Sequence, residues 1–281
     1  MKKLSPSHQL YPTLLGQIAC PPKQLYVAGQ LPDLPAIAIV GTRKVSDYGK
    51  QVTYRLSYDL AKAGFVIISG LALGVDTIAH QAALDANGRT IAVLGNGLDE
   101  IYPRTNRSLA TQIIKTGGGV ISEYDPGTQP FKSNFPARNR IIAGLSLATI
   151  VTEAESKSGS LITANFALQQ DRTVMAVPGS IFNPRSTGPN NLIKSGALAI
   201  TSAVDVLAEL GFSSPTLAPK PVRADSDEEA TILALISQGV ATNQALIEQS
   251  GLEAAQFAHV ISLMEITGKV RNLGAGQWVN N

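Results

Sequence analysis

The chain has 281 residues, 44% hydrophobic and 16% charged, which allows a packed globular core and excludes a disordered or collagen-like chain. Its length sets a prior of about two domains. The formal charge of +2 hides an asymmetry: residues 1–221 carry 20 basic and 14 acidic side chains, whereas residues 222–281 carry 3 and 7, so a polyanionic partner is expected on the first part.

The single cysteine, Cys20, cannot form an intrachain disulfide, which points to a reducing cytoplasm. Lys2 and Lys3 have no apolar run behind them, so no signal peptide is expected. No stretch approaches the roughly 18 apolar residues of a membrane span.

In chain order, Ala36–Val40 reads as a buried strand stopped by Gly41-Thr42-Arg43, after a lead-in over 1–35. Leu56, Leu60 and Ala63 give residues 48–63 a helical spacing, with Gly64 where a helix stops. Phe65–Ile68 is the next strand, then Ser69-Gly70 and a helix from about Asp76. Thr90–Leu94 repeats the scheme and ends at Gly95-Asn96-Gly97, with a helix after Thr105. Gly119–Ile121, a short helix near 137–144, the strand Leu147–Val151, a helix from Ser160 and the strand Thr173–Val177 complete the series. Continuous apolar strands separated by helices predict a doubly wound, Rossmann-like parallel sheet of at least six strands.

Ligands of open α/β sheets bind beyond the carboxyl ends of the strands. Those ends carry Gly41-Thr42-Arg43, Ser69-Gly70, Gly95-Asn96-Gly97, Ser122-Glu123 and Val177-Pro178-Gly179. Each alone reads equally as a tight turn, but together, with an arginine in the first, they favour an anion site. Neither G-x-G-x-x-G nor a P-loop is present, so neither NAD nor ATP is expected and no cofactor is predicted. His8, His80 and His259 have no metal-ligand spacing, and no metal site is predicted. Asp76 and His80, four apart, can face each other on one helix, or act separately as a helix-start cap and a packed residue. Glu153 and Glu155 have no evident acid–base partner, and no catalytic residue is predicted.

Two segments carry nucleic-acid chemistry. Phe131-Lys132-Ser133-Asn134-Phe135-Pro136-Ala137-Arg138-Asn139-Arg140 interleaves aromatics with cations, the combination that tracks a single strand and stacks its bases. Ser156-Lys157-Ser158-Gly159-Ser160-Leu161-Ile162-Thr163 puts hydroxyls, a lysine and a glycine at a helix start, where a phosphate is bound. Phe135 precedes a proline and is as readily a buried side chain as a stacking one.

These residues, together with Ile39–Arg43, Ser69–Asp76, Ala79-His80, Leu94–Leu98, Tyr102-Pro103, Phe135–Ser146, Glu153-Ala154, Ser158–Ala164 and Val177–Gly179, resemble the DNA processing protein A (DprA/Smf) family over roughly residues 11–210. The resemblance implies an extended Rossmann domain that is not an enzyme. It binds and protects incoming single-stranded DNA, forms a homodimer and helps load the RecA recombinase during natural transformation. The family's DNA-contacting arginine falls on Arg43, and its pocket falls on the Phe-Pro-x-Arg-Asn-Arg and Ser-Gly-Ser segments. The expected DNA-binding set is Arg43, Lys44, Gly70, Gly74, Lys132, Phe135, Arg138, Asn139, Arg140, Lys157, Ser158, Gly159, Ser160 and Thr163. Many members carry a helical domain before the Tyr-Pro segment, and ten residues precede Tyr11 here. The alternative is a nucleotide-processing enzyme like the cytokinin-activating phosphoribohydrolases, but Thr163 stands where that family's catalytic glutamate belongs.

Beyond a Pro/Ser-rich linker over 212–226, residues 227–281 predict three helices, with Ile232, Leu235 and Ile236 inward on the first. Two short strands follow around Gly274-Ala275-Gly276, a winged-helix plan. Its third helix has Glu253 and Glu265 but no Lys or Arg, which favours protein contact over reading duplex DNA. The expected fold is therefore an extended Rossmann-like parallel sheet with a small C-terminal winged-helix domain.

Overall fold

The computed structural model describes residues 1–212, 224–274 and 276–280. Most of the expected 212–226 linker, the Ala275 turn residue and Asn281 lie outside them. The chain divides into two units, residues 1–217 and 218–281.

The first unit is built on a nine-stranded sheet. Its strands are β1 (Lys2–Leu4), β2 (Leu25–Gly29), β3 (Ala36–Val40), β4 (Val66–Ser69), β5 (Thr90–Val93), β6 (Gly119–Ser122), β7 (Ala148–Val151), β8 (Thr173–Ala176) and β9 (Leu198–Ala199). Across the sheet they run β1-β2-β6-β5-β4-β3-β7-β8-β9. The seven from β3 to β9 are parallel, while β2 joins β6 and β1 joins β2 antiparallel. The central strands are buried at every position of β3, β4, β5 and β7, because helices cover both faces. Those helices are α1 (Thr13–Gly16), α2 (Asp47–Lys62), α3 (Val75–Asp85), α4 (Arg107–Lys115), α5 (Asn134–Gly144), α6 (Ser160–Gln169), α7 (Thr187–Lys194) and α8 (Ala203–Glu209).

One core layer joins Val40, Ile68, Val93 and Val151 to Ile141, Ile142, Ala164 and Ala167 of α5 and α6. The other joins Ile37, Ile39, Ile67 and Ile150 to Leu56 and Leu60 of α2 and Ala79 and Ala83 of α3. The chain winds outward from β3 through β4, β5 and β6 on one side and through β7, β8 and β9 on the other. The switch between the two directions lies between β3 and β7, where open α/β sheets place their ligands.

Helix ends explain the punctuation of the sequence. Ser46 caps α2 by accepting from the Gly49 N–H at 3.1 Å, and Gly64 follows that helix at φ +97°, a left-handed conformation that glycine adopts without strain. α5 begins at Asn134, a turn earlier than the predicted 137, so it carries Phe135 and Pro136.

The second unit packs α9 (Asp227–Ser237), α10 (Asn243–Ser250) and α11 (Ala254–Ile266) with the antiparallel pair β10 (Val270–Asn272) and β11 (Trp278–Asn280). Its core is Ile232, Leu233, Ile236, Leu246, Phe257, Ile261, Met264, Val270 and Trp278. On α9 the buried set differs from expectation: Leu233 is buried and Leu235 is only half-buried against the cluster. No helix among the described residues is long and apolar enough to cross a membrane.

Candidate nucleic-acid interface

A cleft of about 610 Å³ opens at the switch point. Its walls come from the loop after β3 (Gly41, Arg43), the loop after β4 (Ala72), Tyr102, the start of α5 and the start of α6. It brings together Arg43, Lys132, Phe135, Arg138, Asn139, Ser158, Gly159, Ser160 and Thr163, nine of the residues singled out from the sequence.

The loop bearing Arg43 is fixed from beneath. Thr42 N–H donates to the Glu153 carbonyl at 2.7 Å, and Val75 N–H donates to the Thr42 carbonyl at 3.2 Å. The Glu153 carboxylate, 1% exposed, accepts from the Ser46 N–H at 2.8 Å and from the Ser46 hydroxyl. Gly74 sits at φ +80°, and a Cβ there would lie 2.4 Å from the Thr42 carbonyl oxygen. Its contribution is therefore this close backbone approach. The loop carries Arg43 into the cleft, where its guanidinium lies 5.9 Å from the centre of the Phe135 ring, within cation–π range. Tyr102 packs on Phe135 with ring centres 5.6 Å apart. Phe135 is thus a half-buried wall of the cleft, flanked by a cation and a second aromatic.

Arg138 was expected to reach phosphate, but it is 5% exposed. Its Nη1 donates to the Gly70 carbonyl at 3.0 Å and to the Val93 carbonyl, and its Nε donates to Asn139 Oδ1 at 3.1 Å. It ties the ends of β4 and β5 to α5 at the back of the cleft. Gly70 makes room for it, since a Cβ there would lie 2.6 Å from Arg138 Nη2. Burial lowers the Arg138 pKa to about 10, nearby Asp76 opposes the fall, and Arg43 adds to it. The group stays cationic at neutral pH and projects positive potential into a water-poor wall.

Asp76 Oδ2 accepts from the Gly70 and Ala72 amides at 3.0 and 3.3 Å. Burial pushes its pKa up, while Arg138 and those amides pull it down. Asp76 and His80 do not pair: His80 Nδ1 meets Thr90 Oγ1 at 2.6 Å. Asp76 holds the loop before the helix rather than capping it. Leu71 in that loop adopts φ +57°, uncommon for a leucine, and its carbonyl accepts from Asn106 Nδ2 at 2.8 Å.

On the opposite wall, Asn139 Nδ2 donates to the Gly159 carbonyl at 3.2 Å, and the Ser158 and Ser160 hydroxyls are 2.8 Å apart. α6 begins here at Ser160, and its first N–H groups are met by the turn before it: Ser160 N–H by Ser158 Oγ at 3.4 Å, and the Leu161 and Ile162 N–H groups by the Ser158 and Gly159 carbonyls at 3.1 and 3.2 Å. Thr163 is buried. The acidic side chain lining the cleft is Asp76, bound to backbone amides, and no carboxylate replaces Thr163. Among the described residues no group of three or more His, Cys, Asp or Glu is placed to hold a metal ion.

Five expected residues fall outside the cleft lining: Gly70 and Gly74, which act through the close approaches described above, and Arg140, Lys44 and Lys157. Arg140 forms a two-pronged ion pair with Glu123 at 2.5 and 2.6 Å and donates to the Cys20 carbonyl at 3.1 Å, so it fastens the N-terminal lead-in to α5 instead of meeting phosphate. Lys44 and Lys157 are exposed beside the cleft. Phe131 is exposed and lines no wall. Sequence reasoning gave no role to Tyr102, although Tyr102-Pro103 was among the motifs carrying the resemblance.

A doubly wound α/β sheet with a cationic, aromatic-walled cleft at its switch point, followed by a winged helix, defines the class of protein. The model of DNA recombination-mediator protein A matches residues 2–211, and that of the DprA winged helix domain matches residues 215–276. The chain belongs to the DprA/Smf family. It is 49% identical to Protein Smf of Synechocystis over 74% of its length, and spans 54% of that relative, about half. It is similar to the structure of DNA processing protein A from Streptococcus pneumoniae, with a TM-score of 0.70 and 45% identity over 76% of this chain and 75% of the other. It is also similar to DNA processing protein A from Helicobacter pylori, whose structure addresses a single-stranded DNA binding mode. There the TM-score is 0.65 and identity 35% over 74% of this chain and 98% of the other.

Proposed function

We propose that this chain binds single-stranded DNA in the switch-point cleft and acts as a non-enzymatic DNA-processing protein in natural transformation. The observation that carries it is the arrangement of Arg43, Phe135 and Tyr102 at a cleft that also holds Lys132 and the start of α6. Cations that meet phosphates beside aromatic faces that meet bases are what a single strand requires. Lys132, Arg43 and the Ser158 hydroxyl contact phosphate, Arg138 contributes potential from behind, and Phe135 with Tyr102 supplies the apolar wall. Asp76 is occupied by backbone donors, which supports binding without catalysis.

The relatives' names support a role in DNA processing, and the family description as a recombination mediator supports delivery of the bound strand to RecA. Homodimer formation, protection of incoming DNA and a cytoplasmic location complete the proposal. We assign DNA binding to residues 1–211 and a protein-contact role to the acidic module at 227–281.

Fluorescence anisotropy with labelled oligothymidine and a duplex of equal length, over a salt series, tests the reading. Preference for the single strand, with affinity falling steeply as salt rises, is expected. Equal or stronger duplex binding overturns it.

A further inference from the structure

Beside the cleft, the segment between β8 and α7 exposes two large apolar side chains, Ile181 at 84% and Phe182 at 89%. The segment is nevertheless fastened along its length. Tyr48 donates its hydroxyl to the Pro178 carbonyl at 2.7 Å, and Asn190 exchanges two hydrogen bonds with the Gly179 backbone, at 3.0 and 3.2 Å. Phe182 N–H donates to Ser180 Oγ at 3.3 Å, and Asn183 accepts from the Arg185 N–H at 3.0 Å. A braced segment that holds an aromatic ring in water is a platform awaiting a flat apolar group.

The same segment is joined to the cleft. Arg185 Nε donates to the Lys44 carbonyl at 2.6 Å, one residue beyond Arg43. The Arg185 carbonyl accepts from the Ala154 N–H at 2.7 Å. The remaining guanidinium nitrogens of Arg185 and the Lys44 ammonium have no protein partner among the described residues. Glu155 is the exposed acid adjoining this strand end, Glu153 is buried and spent on Ser46, and Asp47 pairs with Lys50. With Glu153 and Asp47 so engaged, Lys44, Arg185 and Lys157 stand against Glu155 alone among these acids. Strand order places β7 beside β3 and β8 one strand further out, so the platform lies about 10 Å along the edge from the Arg43 loop at the usual strand spacing.

We propose that this edge extends the single-strand track: Lys44 and Arg185 hold the phosphates of nucleotides leaving the cleft, and Phe182, with Ile181 beside it, stacks one of their bases. The charge suits a polyanion, the exposed ring suits a base, and the shared loop makes the surface continuous with the cleft. The inference rests on the cleft being the DNA site.

The test compares the intact protein with Phe182→Ala, Lys44→Ala and Arg43→Ala on oligothymidines of about 5 and about 20 nucleotides, bracketing common single-strand site sizes. Phe182 and the Lys44 ammonium are exposed and unpaired, so both substitutions leave folding intact. On the long strand, Phe182→Ala is expected to weaken binding roughly 5- to 100-fold at unchanged salt slope. Lys44→Ala is expected to lower that slope by about 0.7. On the short strand both match the parent, whereas Arg43→Ala weakens both lengths. If Phe182→Ala and Lys44→Ala bind the long strand like the parent while Arg43→Ala fails, the extension is wrong and the cleft stands. Equal losses on both lengths, or a loss of self-association with DNA binding intact, also overturn the extension. Parent-like binding by Arg43→Ala on both lengths removes the cleft reading and this inference with it.

Discussion

The Arg43 guanidinium lies over the Phe135 ring at 5.9 Å, and Tyr102 closes on the same ring from 5.6 Å. Phe135 therefore does two things at once: it orients a cation, and it presents aromatic surface to the cleft. Phe135→Ala is expected to cost about 1–3 kcal/mol of single-strand affinity with little change in salt slope, because no phosphate contact is lost. Phe135→Tyr, which keeps the ring, retains most of the affinity. Anisotropy titrations of the two variants check this, and parent-like binding by Phe135→Ala contradicts it.

Gly70 is tested through stability. Its missing Cβ is the space Arg138 occupies, and Arg138 holds two strand ends. Gly70→Ala is expected to destabilise the fold by about 1–3 kcal/mol through overpacking. Gly159→Ala is the control: nothing lies within 4 Å of a Cβ there, so stability stays within about 0.5 kcal/mol of the parent. Urea unfolding of the three proteins gives the comparison.

His80 makes stability depend on pH. It is fully buried, and burial lowers its pKa from 6.5 to about 3, with Arg138 adding to the fall. Thr90 donates its hydroxyl to the Ile67 carbonyl at 2.6 Å, so Nδ1 of the neutral ring carries the proton and donates to Thr90. Between pH 6.5 and about 3 the unfolded chain binds a proton that the folded one refuses. The stabilisation is complete above pH 6.5 and is lost as pH falls through that window, at up to about 1.4 kcal/mol per pH unit. Asp76, pushed up by burial, has the opposite sign: it favours the folded state as pH falls through the region above its ordinary value. His80→Gln lowers stability at every pH but removes the histidine's share of the slope. Unfolding free energies of parent and variant from pH 7 to pH 4.5 are expected to converge as pH falls; parallel curves contradict the assignment.

The acidic module is tested by truncation. A chain ending at Phe212 is expected to unfold cooperatively and to bind single strands within about twofold of the full chain, because the sheet, both core layers and the cleft lie before that point. Loss of binding in a folded truncation contradicts the division of labour.

The alternation of strands and helices was legible because Ala36–Val40, Phe65–Ile68 and Ile91–Leu94 are apolar without interruption, which a sheet covered on both faces demands. The glycine-lined edge was legible for the same reason. β1 and β2 were not, since they are short antiparallel strands added at one margin of the sheet from a lead-in without helical or alternating rhythm. The separate fates of Arg138 and Arg140 were also hidden. Both stand in one polar run, and what buries Arg138 are carbonyls 68 and 45 residues away. What captures Arg140 is Glu123, from the end of β6. Only the fold brings those groups together.

The most direct measurement is the salt dependence of oligothymidine binding by the parent, Arg43→Ala and Lys132→Ala, with melting curves recorded in parallel. Both side chains line the cleft and neither supports the core, so melting is unchanged. Each variant is expected to bind more weakly and to lose about 0.7 from the slope of log affinity against log salt. Parent-like affinity and slope in both variants, with the fold intact, would show that DNA is not held in the switch-point cleft.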